Sequence, residues 1–192
     1  MCFDERPCFL IGDVGSILPM SPGKAKRYHY AYEQNGSCCV CLAFEPQTGQ
    51  RYVEVSSRRT AVDYAEFMQN LLAKHYPQVE CLRLVQDNLN THTPGSFYAV
   101  LPPSEACARS PKFQPHYTPL KGSWLNRAES EFAARAAQCL NRRIPQAELW
   151  RQEVFAWTAN RNRPHKTVHW QFSQTEARSQ FHRHYTNVQE LL

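Results

Sequence analysis

The sequence predicts an α/β fold, a mixed five-stranded sheet flanked by helices, on three observations. The early part of the chain alternates and is rich in β-formers, which reads as an antiparallel meander. The hydrophobic period turns helical near residue 60, and from there strands and helices alternate.

Residues 27–34 (RYHYAYEQ) alternate and are rich in tyrosine, so they are expected to form a strand. Asn35-Gly36 follows, the strongest short hairpin signal, and 37–44 (SCCVCLAF) reads as the partner strand. Gln47-Thr48-Gly49 marks a second turn before a strand over 50–56 (QRYVEVS). Asp4 precedes all of these, so the strand that carries it is expected to be very short or nearly absent. Thr60 and Asp63 form a T-x-x-D capping box. Ala61, Ala65, Met68 and Leu72 recur at helical spacing, which predicts a helix over 60–75 that Pro77 ends. Residues 81–86 (CLRLVQ) read as a largely buried strand with Asp87 just past its end. A short helix near 94–101 is expected, then a strand over 112–117 that Pro115 confines to an edge. Helices are expected over 124–140 and 146–160, the second stopped before Pro164.

The 192 residues suffice for one domain, 1–192, with a hydrophobic core. At 42% hydrophobic and 20% charged the composition excludes a wholly disordered chain. No apolar run of about 18 residues is present, so no membrane partner is expected. The opening MCFDERP is no signal peptide, which points to the cytoplasm. Lys and Arg (22) exceed Asp and Glu (17), which suits contact with a polyanion and equally a solvated basic surface. The eight cysteines form no C-x-x-C pair and read as small buried apolar residues in a reducing compartment.

Metal-assisted phosphoryl chemistry needs carboxylates from separate parts of the chain converging on one point. Asp4 lies within the first short strand, and Asp87 at the C-terminal end of a buried one, where open sheets place ligands. On the helix after Trp124, Leu125, Ala128, Phe132, Ala136, Cys139 and Leu140 make one apolar stripe. Glu129 falls roughly 40° from its centre, on the face expected to be buried, and Glu131 roughly 120° away, outside it. A buried Glu129 needs a partner, which a metal ion or an arginine would supply.

Several ordered motifs carry a resemblance: FDERP at Phe3–Pro7, DNLNTH at Asp87–His92, YTPLKGSWLNRAE at Tyr117–Glu129, QCLNRRI at Gln138–Ile144 and WQFSQTEAR at Trp170–Arg178. Together they resemble the transposases of bacterial insertion sequences in the mariner-like superfamily, over nearly the whole chain. The resemblance implies an RNase H-like fold and a DDE triad, here Asp4, Asp87 and Glu129, as both catalytic residues and metal ligands. It implies Mg2+ or Mn2+, two ions in all. It further implies double-stranded DNA as partner, both transposon ends and target, a homodimer on DNA, and a nucleoid-associated location. The reaction implied is strand cleavage followed by strand transfer. Relatives carry helix-turn-helix domains ahead of the first acid, a region absent here. The alternative is therefore a truncated, impaired remnant that binds DNA or a partner chain.

Further DNA-binding candidates each have a plainer reading. His92 touches the scissile phosphate or orders its loop, and Asn88 flanks Asp87 in the same motif. Asn126 contacts DNA, orders the helix start or faces solvent. Trp124 stacks on a base or packs into the core. Lys121, Arg142, Arg143, Arg161, Arg163 and Lys166 neutralise phosphates or form a solvated face. Glu5 is a spare ligand only if it escapes strand alternation, which points it away from Asp4. His165 with His169, and His182 with His184, suggest zinc, but Pro164 and the missing cysteine pairs argue against it.

Overall fold

A computed structural model describes residues 1–120, 122–169, 173–180 and 182. Three strands, β1 (Cys2–Asp13), β2 (Tyr32–Glu45) and β3 (Gln50–Ser56), form the antiparallel meander. Then β4 (Leu82–Gln86) and β5 (Phe113–Tyr117) add in parallel, in the order β3-β2-β1-β4-β5. Pro115 sits on the edge strand, as its missing N–H requires.

The meander differs from expectation in its first turn. The strand carrying Asp4 is not a stub but the full-length β1 at the centre of the sheet. Asn35-Gly36 is not a hairpin turn. It lies inside β2, where the register against β1 slips between Phe9 and Ile11, and Gly36 takes φ +101°. The left-handed conformation that suits a tight turn serves a bulge equally well. Much of the expected strand over 27–34 therefore belongs to the β1–β2 connection, where Arg27 bridges Leu18. At the second turn glycine is required for space as well. A Cβ on Gly49 would come within 2.7 Å of the Lys166 carbonyl oxygen.

Helix α1 (Ala61–His75) starts at the expected capping box. Thr60 Oγ1 accepts from the Asp63 N–H at 3.3 Å, and Asp63 Oδ2 accepts from the Thr60 N–H at 2.9 Å. Beyond β4 come a 3-10 turn, Pro94–Ala99, and the short α2 (Pro103–Arg109). After β5, a 3-10 turn over Ser123–Leu125 precedes α3 (Ala128–Gln138), so that helix is shorter at its start than the spacing suggested. Then follow α4 (Ala147–Asn162) and α5 (Gln174–Gln180).

Strand alternation divides the core in two. Cys2, Val40, Leu42 and Phe44 face α3 and α4, meeting Phe132, Val154 and Trp157. Phe3, Cys41 and Ala43 face α1, meeting Tyr64, Met68 and Phe97. Phe3 is fully buried, with its ring 5.2–5.4 Å from those of Tyr64, Phe67 and His92. Such burial stabilises by about 1.5–3 kcal/mol. These contacts hold the central strand, and with it the acids at its start, against both helical layers.

Candidate active site

Asp4 follows Phe3 by one residue and so projects to the other face, toward α3. The parallel register places Cys2 beside Val85, and two residues further along both chains stand Asp4 and Asp87. Burial pushes the Asp4 carboxyl up to about 7. The backbone N–H of Glu5, 2.8 Å from Asp4 Oδ1, offsets part of this, while the charges of Glu129 and Asp87 add to it. Of the three acids, those at the end of β4 and the start of α3 thus both bear on the one from β1. As a set they do not close to within 4.8 Å, as like charges without a cation between them should not.

Asp87 is held from behind. His92 Nδ1 lies 2.6 Å from Asp87 Oδ1, and His92 Nε2 lies 3.1 Å from Glu5 Oε1. The His92 contact keeps the Asp87 carboxyl below the usual range despite partial burial. Burial alone would lower the His92 pKa. Its contacts with Asp87 and Glu5 overcome this and raise it to about 9. His92 is fully buried, so it orders its loop and does not reach a phosphate. Glu5 is buried too, on the face opposite Asp4, where Arg59 Nε stands 3.6 Å away.

On α3 the expected facing is reversed. Glu129 is exposed, while Glu131 is buried at 5% exposure. Glu131 accepts from Arg51 Nε at 2.6 Å and Nη2 at 2.9 Å, and from Arg161 Nε at 3.1 Å. Burial would raise the Glu131 pKa, but the two guanidinium groups hold it below the usual range. The buried stripe is Ala128, Glu131, Phe132 and Arg135, displaced from the one the apolar residues suggested. Counting apolar residues misses a face whose partner is a buried arginine. Glu129 instead sits in the first turn of α3, on the side open to solvent and within electrostatic reach of Asp4.

The other candidates divide. Asn126 is 1% exposed. Its Nδ2 donates to the Phe3 carbonyl at 2.6 Å, and its Oδ1 accepts from the Ala128 N–H at 3.2 Å. It ties the start of α3 to β1 and is too deep for DNA. Trp124 is 58% exposed and so is not a core residue. Asn88, Arg163 and Lys166 are exposed. Arg143 is tied to Asp13 Oδ1 at 2.7 Å and to the carbonyls of Ala31 and His29 at 3.0 Å, which fastens the β1–β2 connection. Arg161 belongs to Glu131, and Arg142 pairs with Glu153. Lys121 and His184 lie outside the described residues. His165 Nδ1 meets Gln50 Nε2 at 2.8 Å, and neither His165 nor His169 joins a metal-ligand cluster among the described residues. The residues that sequence reasoning missed are Arg51, which buries Glu131, and Arg59 beside Glu5. Neither sits in a motif, and only the pairing of β3 with β2 and the closure of α1 bring them into place.

The family described as "DDE superfamily endonuclease" matches residues 1–149. The chain belongs to this family. No curated protein matches it. Among solved structures, this DDE endonuclease is similar to a Mos1 mariner paired-end complex with Mn, at 16% identity and a TM-score of 0.56, over 82% of this chain and 47% of that one. A pre-cleavage Mos1 transpososome matches at 13% identity, a TM-score of 0.55 and the same coverage. A Mos1 strand transfer complex matches at 13% and 0.55, over 82% of this chain and 46% of that one. The DDE endonuclease therefore has the RNase H-like fold of the Mos1 catalytic domain, and it spans about half the length of the Mos1 chains.

Proposed function

We propose that this DDE endonuclease is a transposase catalytic domain that cleaves DNA and transfers strands at transposon ends, with Asp4, Asp87 and Glu129 as its catalytic acids. The observation that carries the reading is the placing of Asp87 and Glu129 around Asp4, whose carboxyl is pushed up to about 7 first by burial and then by those two charges. A group so perturbed by burial and like charge is suited to a cation. The donors are all carboxylate oxygens, which fits Mg2+ or Mn2+ rather than a thiophilic ion. When bound, a pair of such ions supplies an activated oxygen nucleophile and stabilises the charge of an in-line displacement.

The chain's own groups prepare that site. Asp4 is fixed by the central strand, and its Oδ1 accepts from the Glu5 N–H. His92 keeps Asp87 ionised and oriented, in the way that a buried partner orients a metal-binding side chain. Asn126 anchors the first turn of α3 and thereby Glu129. Asn88, Trp124, Arg163 and Lys166 are exposed where DNA can reach them, the arginine and lysine to meet phosphates and the tryptophan to stack. The similar Mos1 structures are paired-end and strand transfer complexes, which supports transposon ends and target DNA as substrates and a homodimer as the working form.

The test is nicking of labelled plasmid DNA by the purified protein with Mg2+ or Mn2+, beside an Asp87→Ala variant. Metal-dependent nicking that disappears in the variant, with joined products from a precut end, is the expected result. Equal nicking by both proteins, or none with either metal, overturns it.

A further inference from the structure

Behind the acids, on the α1 side of the sheet, lies a second set of metal-binding side chains. Cys39 and Cys41 stand two apart on β2 and so share a face, and Cys41 lies opposite Glu5 on β1. Cys38, between Val40 and the α3 side, faces the other way. One ligand atom from each of Glu5, Cys39 and Cys41 falls within 4.8 Å of the others, and Cys41 Sγ is 4.0 Å from Glu5 Oε2. All three are buried, at 6%, 2% and 1% exposure.

From this geometry we infer a site for one thiophilic divalent cation of the Zn2+ class, bound by Cys39, Cys41 and Glu5. Bonds of about 2.3 Å to sulfur and about 2.0 Å to oxygen, at tetrahedral angles, set such donors about 3.5–3.8 Å apart. The side chains therefore need to close by about 1 Å, within the reach of small rotations about their own bonds. The two thiols bind as thiolates and release their protons to solvent. Two thiolates and a carboxylate carry one negative charge more than the ion neutralises. The Arg59 guanidinium, 3.6 Å from Glu5, supplies that counter-charge, and its side chain is 43% exposed. His92 Nε2, 3.1 Å from Glu5 Oε1, is the neighbouring group placed to complete a tetrahedron, once it too gives up its proton to solvent. Its Nδ1 is already held by Asp87, as ligating histidines are held by carboxylates. Soft sulfur donors separate this site from the all-oxygen set of Asp4, Asp87 and Glu129, so the inference stands independently of the transposase reading.

The experiment is titration of the reduced full chain with Co2+, read by thiolate-to-metal charge-transfer absorption and by equilibrium dialysis. One Co2+ per chain is expected, displaced by Zn2+ and not by excess Mg2+. Cys39→Ala and Cys41→Ala each remove the charge-transfer band. Cys8→Ala and Cys38→Ala, on the opposite face of the same two strands, leave it unchanged. Glu5→Gln keeps both thiols and weakens binding by about tenfold or more, and it decides the matter should the cysteine variants fail to fold. No stoichiometric band in the native chain, a band that survives the Cys39→Ala/Cys41→Ala double variant, or native affinity in Glu5→Gln overturns the inference.

Discussion

Glu129 and Glu131 are two residues apart on α3, and they belong to regions built on opposite electrostatics. Around Glu131 opposite charges meet. The carboxylate is buried, Arg51 and Arg161 bond both its oxygens, and Arg51 also stacks over Phe44 at 4.5 Å. Around Asp4 acid faces acid, with the charges of Glu129 and Asp87 both raising it, and the positive groups that act on Asp87, His92 and Arg59, stand behind it. The first region is closed and holds β3, α3 and α4 together. The second keeps repulsion that a bound cation would relieve, as the proposed site requires and a brace does not.

The sharpest way to break this comparison is to neutralise each glutamate in turn. Glu129→Gln is expected to reduce metal-dependent plasmid nicking roughly a thousandfold or more, since it removes a group that acts only with the reacting centre. Glu131→Gln is expected to leave nicking within a few-fold but to cost about 3–5 kcal/mol of stability, lowering Tm by about 6–20 °C in a thermal melt. Equal losses of nicking in the two variants, at a temperature where both are folded, would erase the distinction.

A smaller effect tests the support behind Asp87. His92→Gln removes the imidazole that bridges Asp87 and Glu5. Mn2+ affinity, measured by calorimetry, is expected to fall about 10–100-fold. Unchanged affinity would reduce His92 to a packing residue.

The smallest effect is on stability and has a definite sign. The folded Asp4 carboxyl titrates at about 7 against an ordinary 3.8, so the metal-free native chain loses stability as pH rises through that window. Asp4→Asn lacks this loss. In chelator it should match the native chain below about pH 4 and exceed it by roughly 1–3 kcal/mol above pH 7, by urea denaturation across pH. A native chain that gains stability over that range would contradict the burial and repulsion that raise the Asp4 carboxyl. The analogous variant in the paired region, Glu131→Gln, should be less stable than native throughout neutral pH.

Much of the fold was legible locally. The capping box at Thr60 and Asp63 set the start of α1, the apolar run 81–86 became β4 with Asp87 at its exit, and Pro115 marked the edge strand. Each signal is short-range, so it survives whatever the rest of the chain does. Asn35-Gly36 misled because a glycine at positive φ suits a bulge and a turn alike, and the choice rested on β1 being long enough to pair through it. The motifs nominated three acids, while the surroundings of those acids were not legible.

By itself, then, the sequence determined the order of the elements, the family motifs and the three acids they nominate, because propensity, capping and spacing are carried by neighbours in the chain. The tertiary structure alone decided which glutamate is buried. Arg51 lies 80 residues from Glu131 and Arg161 lies 30, and no helical periodicity contains them. It also decided that His92 serves Glu5 and Asp87 from inside, and that Glu5 meets two cysteines on the far face of the sheet. A charge can be buried only where its partner arrives, and that arrival is fixed by sheet register and helix packing rather than by local pattern.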